Sequence, residues 1–250
     1  MRGNLWLSAI VLALTCHSVN RAGEKEDALS ILQTAVKAHG GEDSLAKASK
    51  WIRKGSGVLT AFGKDMPFND VLQAVLPDQM HFSVEAGSAP NVAHIVLIVN
   101  KSQGWQDNGS SASELTEERV KEMLEEAHVL EAMTLTPLIK DSANQFSLLK
   151  EAKVNDLPAV GILIKNKSHP DLKLYFDKRT GLLVKIGRRA KEGGVDVDKE
   201  YLYSDHKEVD GVKMPFKTVE MINNRKYTEL NVSSYKFPSK IDEAIFKEPK

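Results

Sequence analysis

The chain reads as an α+β protein built on one long antiparallel sheet of roughly ten strands, with two or three helices set against one face. Three observations carry this reading. Apolar and polar residues alternate with period two through much of the stretch from residue 51 to residue 237. Turn dipeptides of the hairpin type, Asn108-Gly109, Asp210-Gly211 and Asn223-Asn224, link neighbouring segments and make them antiparallel. Helical spacing is confined to one segment before the strands and one or two inserted among them.

The elements follow in order. Residues 1 to about 22 have the three regions of a secretory signal: Arg2 in a short n-region, an apolar run over residues 5–14, then small and polar residues up to Arg21-Ala22-Gly23. An apolar run of about ten residues is half of the roughly 20 that a membrane-spanning helix needs. Cleavage after Ser18 or Ala22 leaves a single domain, residues 23–250, in the periplasm or secreted. Cys16 is the only cysteine. An alternative tethers the chain through a lipid on Cys16, but Ala13-Leu14-Thr15 ahead of it is a poor lipobox. Removed with the signal, it leaves a mature chain without disulfides, thiolate nucleophiles or cysteine-bound zinc. Taking Arg2 and Arg21 from the 34 basic residues leaves 32 against 34 acidic ones, a balance that gives no electrostatic basis for binding nucleic acid.

Residues 26–39 form a helix, with Ala28, Leu32, Ala35, Val36 and His39 on one face and Gly40-Gly41 as its left-handed stop. A shorter helical turn covers residues 43–49. Met80, Phe82 and Val84 then alternate with His81, Ser83 and Glu85 as in a half-buried strand, while residues 92–99 are apolar enough for a strand covered on both faces. Residues 116–131 return to helix: Thr116 caps, Glu117 and Glu118 suit the N-terminal dipole, and Val120, Met123, Leu124, Ala127 and Leu130 form the stripe. Pro137 ends it or starts another short helix through Ile139. Val160, Ile162 and Ile164, then Leu172, Leu174 and Phe176, then Leu182, Val184 and Ile186 mark further strands, the last two sets joined by the turn Lys178-Arg179-Thr180-Gly181. Residues 216–222 and 226–237 close the sheet.

So long a sheet with so few helices must curl, and the helices can cover only its concave side. The apolar alternation then lines either a hydrophobic cavity partly plugged by helix or a fully packed core. Candidate lining residues are Met80, Phe82, Val84, Trp105, Met123, Leu172, Leu174, Phe176, Val184 and Ile186.

Four segments carry a family resemblance: Ala38-His39-Gly40-Gly41-Glu42, residues 174–185 (LYFDKRTGLLVK), residues 209–217 (VDGVKMPFK) and residues 241–249 (IDEAIFKEP). With them the chain resembles the LolA-like outer-membrane lipoprotein-sorting proteins of bacterial envelopes, in particular planctomycete-type members, over nearly its whole mature length. The resemblance implies a curved, incompletely closed antiparallel β-barrel whose helices act as a lid over an apolar cavity. It implies a lipid acyl chain or a lipoprotein as partner, with envelope transport or membrane components as further partners, and a chain acting as a monomer without a cofactor. Related sheets serve as sensor or interaction domains, which stands as the alternative function.

Catalytic readings are weaker. Ser44-Leu45-Ala46-Lys47, Ser142-Ala143-Asn144 and Arg179-Thr180-Gly181 imitate, in order, the motifs of a penicillin-recognising serine enzyme. Ser44 follows the first helix with no sheet before it, however, and Thr180-Gly181 is already explained as a turn. The mature histidines are scattered without metal-ligand spacing. His39 reads as a helix C-terminal residue interacting with the dipole, and His94 as a core or cavity polar group. The pairs Glu117-Glu118, Glu125-Glu126 and Asp196/Asp198 read as solvated faces, so no acid/base pair, metal site or catalytic residue is singled out.

Overall fold

The computed structural model describes residues 12–61 and 63–249, with side chains from Gly23 onward except at Ala61. The first half of the expected export signal, residues 1–11, lies outside the described residues, and residues 12–22 continue into the first helix. The helices are α1 (Leu12–Ala38), α2 (Glu42–Lys47), α3 (Glu117–Ala132) and α4 (Thr136–Lys140). Between α2 and α3 run β1 (Lys50–Ala61), β2 (Lys64–Val75), β3 (Gln79–Ser88), β4 (Asn91–Asn100), β5 (Gln103–Asp107) and β6 (Ala112–Glu114). After α4 come β7 (Gln145–Val154), β8 (Leu157–Lys165), β9 (Leu172–Asp177), β10 (Leu183–Glu192), β11 (Val195–Val209), β12 (Val212–Ile222) and β13 (Arg225–Lys236).

The described strands number 13 rather than roughly ten, and they form one antiparallel sheet in the order β6-β5-β4-β3-β2-β1-β13-β12-β11-β10-β9-β8-β7. All three of these turns are there, with Gly109, Asp210, Asn223 and Asn224 at positive φ. Two of the strands that the sequence does not mark are irregular. β1 carries Gly55 and Gly57 and a register shift at Lys54/Gly55, and β7 is shifted between Leu149 and Ala152. β4 departs from the expectation of cover on both faces: its first four residues are exposed and only Ile98 and Val99 are buried. His94 lies in that exposed half, 3.3 Å from Glu85, and is not a core group.

The sheet curls until side chains of β2, β3 and β4 share a core with those of β8, β9 and β10. Its edges, β6 and β7, remain unpaired with each other, so the barrel is open. α1 packs over β7 and β8 with Ala28, Leu32, Ala35 and Val36 buried. α3 crosses the mouth from β4 and β5 to β10. It begins where the sequence places its cap, with Thr116 Oγ1 accepting from the Arg119 N–H at 3.3 Å.

Three of the segments that carry the family resemblance meet at the end of α1. The Gly41 N–H bonds the Val36 carbonyl at 2.9 Å, closing the helix, and Gly40 lies so close to the β11–β12 hairpin that a Cβ would come within 1.9 Å of the Gly211 carbonyl oxygen. The Lys213 N–H donates to the His39 carbonyl at 3.0 Å, and Leu183 N–H donates to His39 Nε2 at 3.3 Å. These motifs therefore weld helix to sheet. The fourth ends in a short 3₁₀ turn, Glu243–Phe246, which packs against β3 and β4 with Phe246 fully buried.

Candidate ligand-binding site

Residues in register across antiparallel strands share a face, so the sheet can be read row by row. Ile162, Leu174, Ile186 and Tyr201 form one inward row, and Tyr201 reaches α3 from it. At this end of the barrel the inner face is sealed: Ile162, Leu172, Leu174, Phe176 and Ile186 are almost wholly buried. At the other end the inner face is unevenly covered, with Phe68, Leu72, Met80, Ala86 and Val99 buried. Leu59 on β1, Met66 on β2, Phe82 and Val84 on β3, and Leu97 on β4 are partly exposed while packed on the core. This trough is the open part of the concave surface.

The ten candidate lining residues divide accordingly. Met80 and Met123 are buried in the shared core, and Phe82 and Val84 lie in the half-covered trough. Leu172, Leu174, Phe176 and Ile186 belong to the sealed end. Trp105 is in register with Ile98, which is in register with His81, so it takes the opposite, outer face from Met80 and Val99. Val184 sits at the irregularity between Leu183 and Lys185 and is half-buried outside the core cluster. Leu59, Met66 and Leu97 were missed because β1 and β2 were not resolved as separate strands and β4 reads as uniformly apolar.

Charged side chains hold α3 against the inner face. Arg188 on β10 donates to Glu125 and Glu126 at 2.8 and 2.7 Å, with only 2% of its side chain exposed. Lys199 on β11 touches Glu126, Glu192 and Glu220, and Tyr201 donates its hydroxyl to Glu126. Nearer the start of α3, Glu122 accepts from Arg119 and from the Gly194 N–H of the β10–β11 hairpin. Glu125-Glu126 is thus not a solvated face. Burial pushes the Glu126 carboxyl up, but Lys199 and Arg188 outweigh it and hold it below its usual value. Burial raises the Glu220 carboxyl to about 7, with the Glu126 charge adding to the rise and Lys199 opposing it.

A second concavity, a cleft of about 470 Å³, lies between α2, the end of β2 and the turn from α3 to α4. Its lining is mixed, from Leu45, Leu76 and Pro137 to Glu131, Lys140 and Asp141.

The serine-enzyme imitation dissolves into local structure. Thr180 donates its hydroxyl to Asp177 Oδ1 at 2.7 Å within the turn. The Asn144 amide donates to the Leu138 carbonyl at 2.9 Å and its oxygen accepts from Asn166. Trp51 is fully buried, donating to the Ala48 carbonyl with its ring edge-on to Tyr235 and Phe237. Among the described residues no group of three or more His, Cys, Asp or Glu side chains is placed to hold a metal, and no helix is long and apolar enough to cross a membrane.

No protein-family model and no curated protein matches the sequence. Solved structures do match. A domain from Vibrio parahaemolyticus described as an outer membrane lipoprotein-sorting protein domain superposes with a TM-score of 0.54 at 15% identity, over 89% of this chain and 97% of that one. A LolA superfamily protein from Nitrosomonas europaea gives 0.54 at 11% identity, over 88% and 97%. A DUF1329 family protein from Desulfovibrio piger gives 0.52 at 11%, over the same shares. At such identities the likeness is one of architecture: the chain has the LolA-like fold, an open, curved antiparallel sheet with few helices.

Proposed function

We propose that this chain is a non-catalytic envelope protein that binds a lipid acyl chain, free or carried by a lipoprotein, as a carrier of apolar cargo. The observation that supports it is the partly covered apolar inner face that carries Leu59, Met66, Phe82, Val84 and Leu97. Burying an alkyl chain there contributes about 0.8 kcal/mol per CH₂, enough for binding without directional contacts along the chain. The signal-like N-terminus supports a place outside the cytoplasm, where a soluble escort for lipid has a use.

The test is direct. The mature chain, purified natively from a membrane-rich lysate, should release lipid on organic extraction, and the delipidated protein should bind a fluorescent acyl probe. Phe82→Asp should weaken probe binding by about tenfold or more by placing a charge in the trough. Leu157→Asp, in the exposed β7–β8 hairpin, should leave it unchanged. A protein free of lipid and blind to the probe would instead be an interaction module of the same fold.

A further inference from the structure

The trough is not uniformly apolar. Asp70 on β2 points to its inner face with 2% of the side chain exposed, and its Oδ2 pairs with Nη2 of Arg53 on β1. Asp70 Oδ1 and Arg53 Nε are both buried and, among the described residues, have no hydrogen-bond partner. Buried polar atoms are nearly always partnered, so an orphan donor and an orphan acceptor on one ion pair call for an explanation.

Their position supplies one. Asp70 is in register with Gly55 on one side and Val84 on the other, and Val84 with Ile95 beyond it. Val84 and Ile95 are half-buried, so the carboxylate borders the part of the inner face that is only partly covered. On the β1 side the lack of a side chain at Gly55 lets the carboxylate and Leu230 pack close: a Cβ there would come within 2.6 Å of Leu230 Cδ1 and 3.2 Å of Asp70 Oδ1.

Resting on the binding reading above, we infer that the trough selects amphiphiles whose polar group is uncharged and both donates and accepts a hydrogen bond, as in an amide-bearing or hydroxyl-bearing acyl chain. Both atoms are shielded from solvent without a ligand, so binding would part their cover, the ligand donor then meeting Asp70 Oδ1 and its acceptor Arg53 Nε. A plain hydrocarbon leaves both atoms unpaired. A free carboxylate can accept from Arg53, but it faces the Asp70 anion, which already neutralises that guanidinium. A site built around such atoms rejects analogues that cannot satisfy them.

Two probes with the same chain and fluorophore, one ending in a primary amide and one in a carboxylate, test this at pH 7.5. The wild-type protein should bind the amide roughly tenfold tighter or more. Asp70→Asn frees the Arg53 charge and should reverse the preference by a similar factor. The double variant Arg53→Met/Asp70→Leu replaces the ion pair by apolar groups of similar volume, a change cores often tolerate, and should bind both probes within about twofold. It also serves where Asp70→Asn does not fold. Equal affinity of the wild type for the two probes overturns the selectivity and leaves acyl binding standing. Failure to bind either overturns the binding reading itself.

Discussion

His39 is 2% exposed and uses both ring nitrogens: Nδ1 donates to the Ala35 carbonyl at 2.8 Å, and Nε2 accepts from the Leu183 N–H at 3.3 Å. That arrangement fits only the neutral ring, because a second proton would set Nε2–H against Leu183 N–H. Burial accordingly lowers its pKa from 6.5 to about 4, with the His206 and Lys213 charges pressing the same way against the Ala35 carbonyl. Between those values the unfolded chain takes up a proton that the folded one does not. The contribution is therefore complete above pH 6.5 and lost as pH falls towards 4, a change of about 3 kcal/mol at about 1.4 kcal/mol per unit. Burial lowers His206 and His81 as well, which adds to the same trend. Glu220, raised to about 7, pushes the total slope the other way, so the contribution is read as a difference: His39→Gln should cost about 1–3 kcal/mol at neutral pH, and its gap to the wild type in urea unfolding should shrink as pH falls to 4. From sequence His39 is legible only as a helix end, because the strand it bonds lies 144 residues further along the chain.

At the scale of the element, α3 shows where reading by periodicity stops. Its cap and its apolar stripe are legible because both are written within 16 residues. The role of Glu126 is not, since its partners Arg188 and Lys199 lie on distant strands and nothing local separates it from a solvated glutamate. Lys199, with 6% of its side chain exposed, is among the described residues the one cation that touches Glu126, Glu192 and Glu220 together. Lys199→Met would leave Glu220 without its ion-pair partner, while Glu126 keeps Arg188 and Glu192 keeps Arg119. With Glu126 and Glu192 32% and 35% exposed, solvent screens part of the loss, and the expected cost is roughly 1–3 kcal/mol at pH 8. Glu220, already raised to about 7 by burial and by the Glu126 charge, should then take a proton still more readily. The penalty should accordingly shrink between pH 8 and pH 5.5 in denaturant titrations against the wild type. A penalty independent of pH would mean that Lys199 acts by packing alone.

The whole molecule is a sheet whose two ends are finished differently. The β7–β10 end is closed under α1, with Leu172, Leu174, Phe176 and Ile186 almost wholly buried, while the β1–β4 end keeps Leu59, Met66, Phe82, Val84 and Leu97 half covered. The hairpin signals and alternation of β9 to β13 make the sheet and its antiparallel order legible. Which end is open is not, because alternation distinguishes two faces of a strand and says nothing of what covers them; Leu174 and Phe82 read alike in sequence. The asymmetry has a thermodynamic consequence if cargo binds in the trough. A ligand that binds the folded state alone stabilises it by about 2.7 kcal/mol at a hundredfold excess over its Kd. Covering the trough should protect the strands that form it. Hydrogen exchange on delipidated and acyl-loaded protein should therefore show slower exchange across β2, β3 and β4 and the facing turns of α3 on loading. Amides of β8 and β9 should change only as much as global stability does. Equal slowing of both ends would place the ligand under α1 or spread its effect through the whole sheet, and no slowing beyond the β2–β4 edges would place it outside the barrel. The half-covered rows of β1 to β4 predict the first of these three patterns.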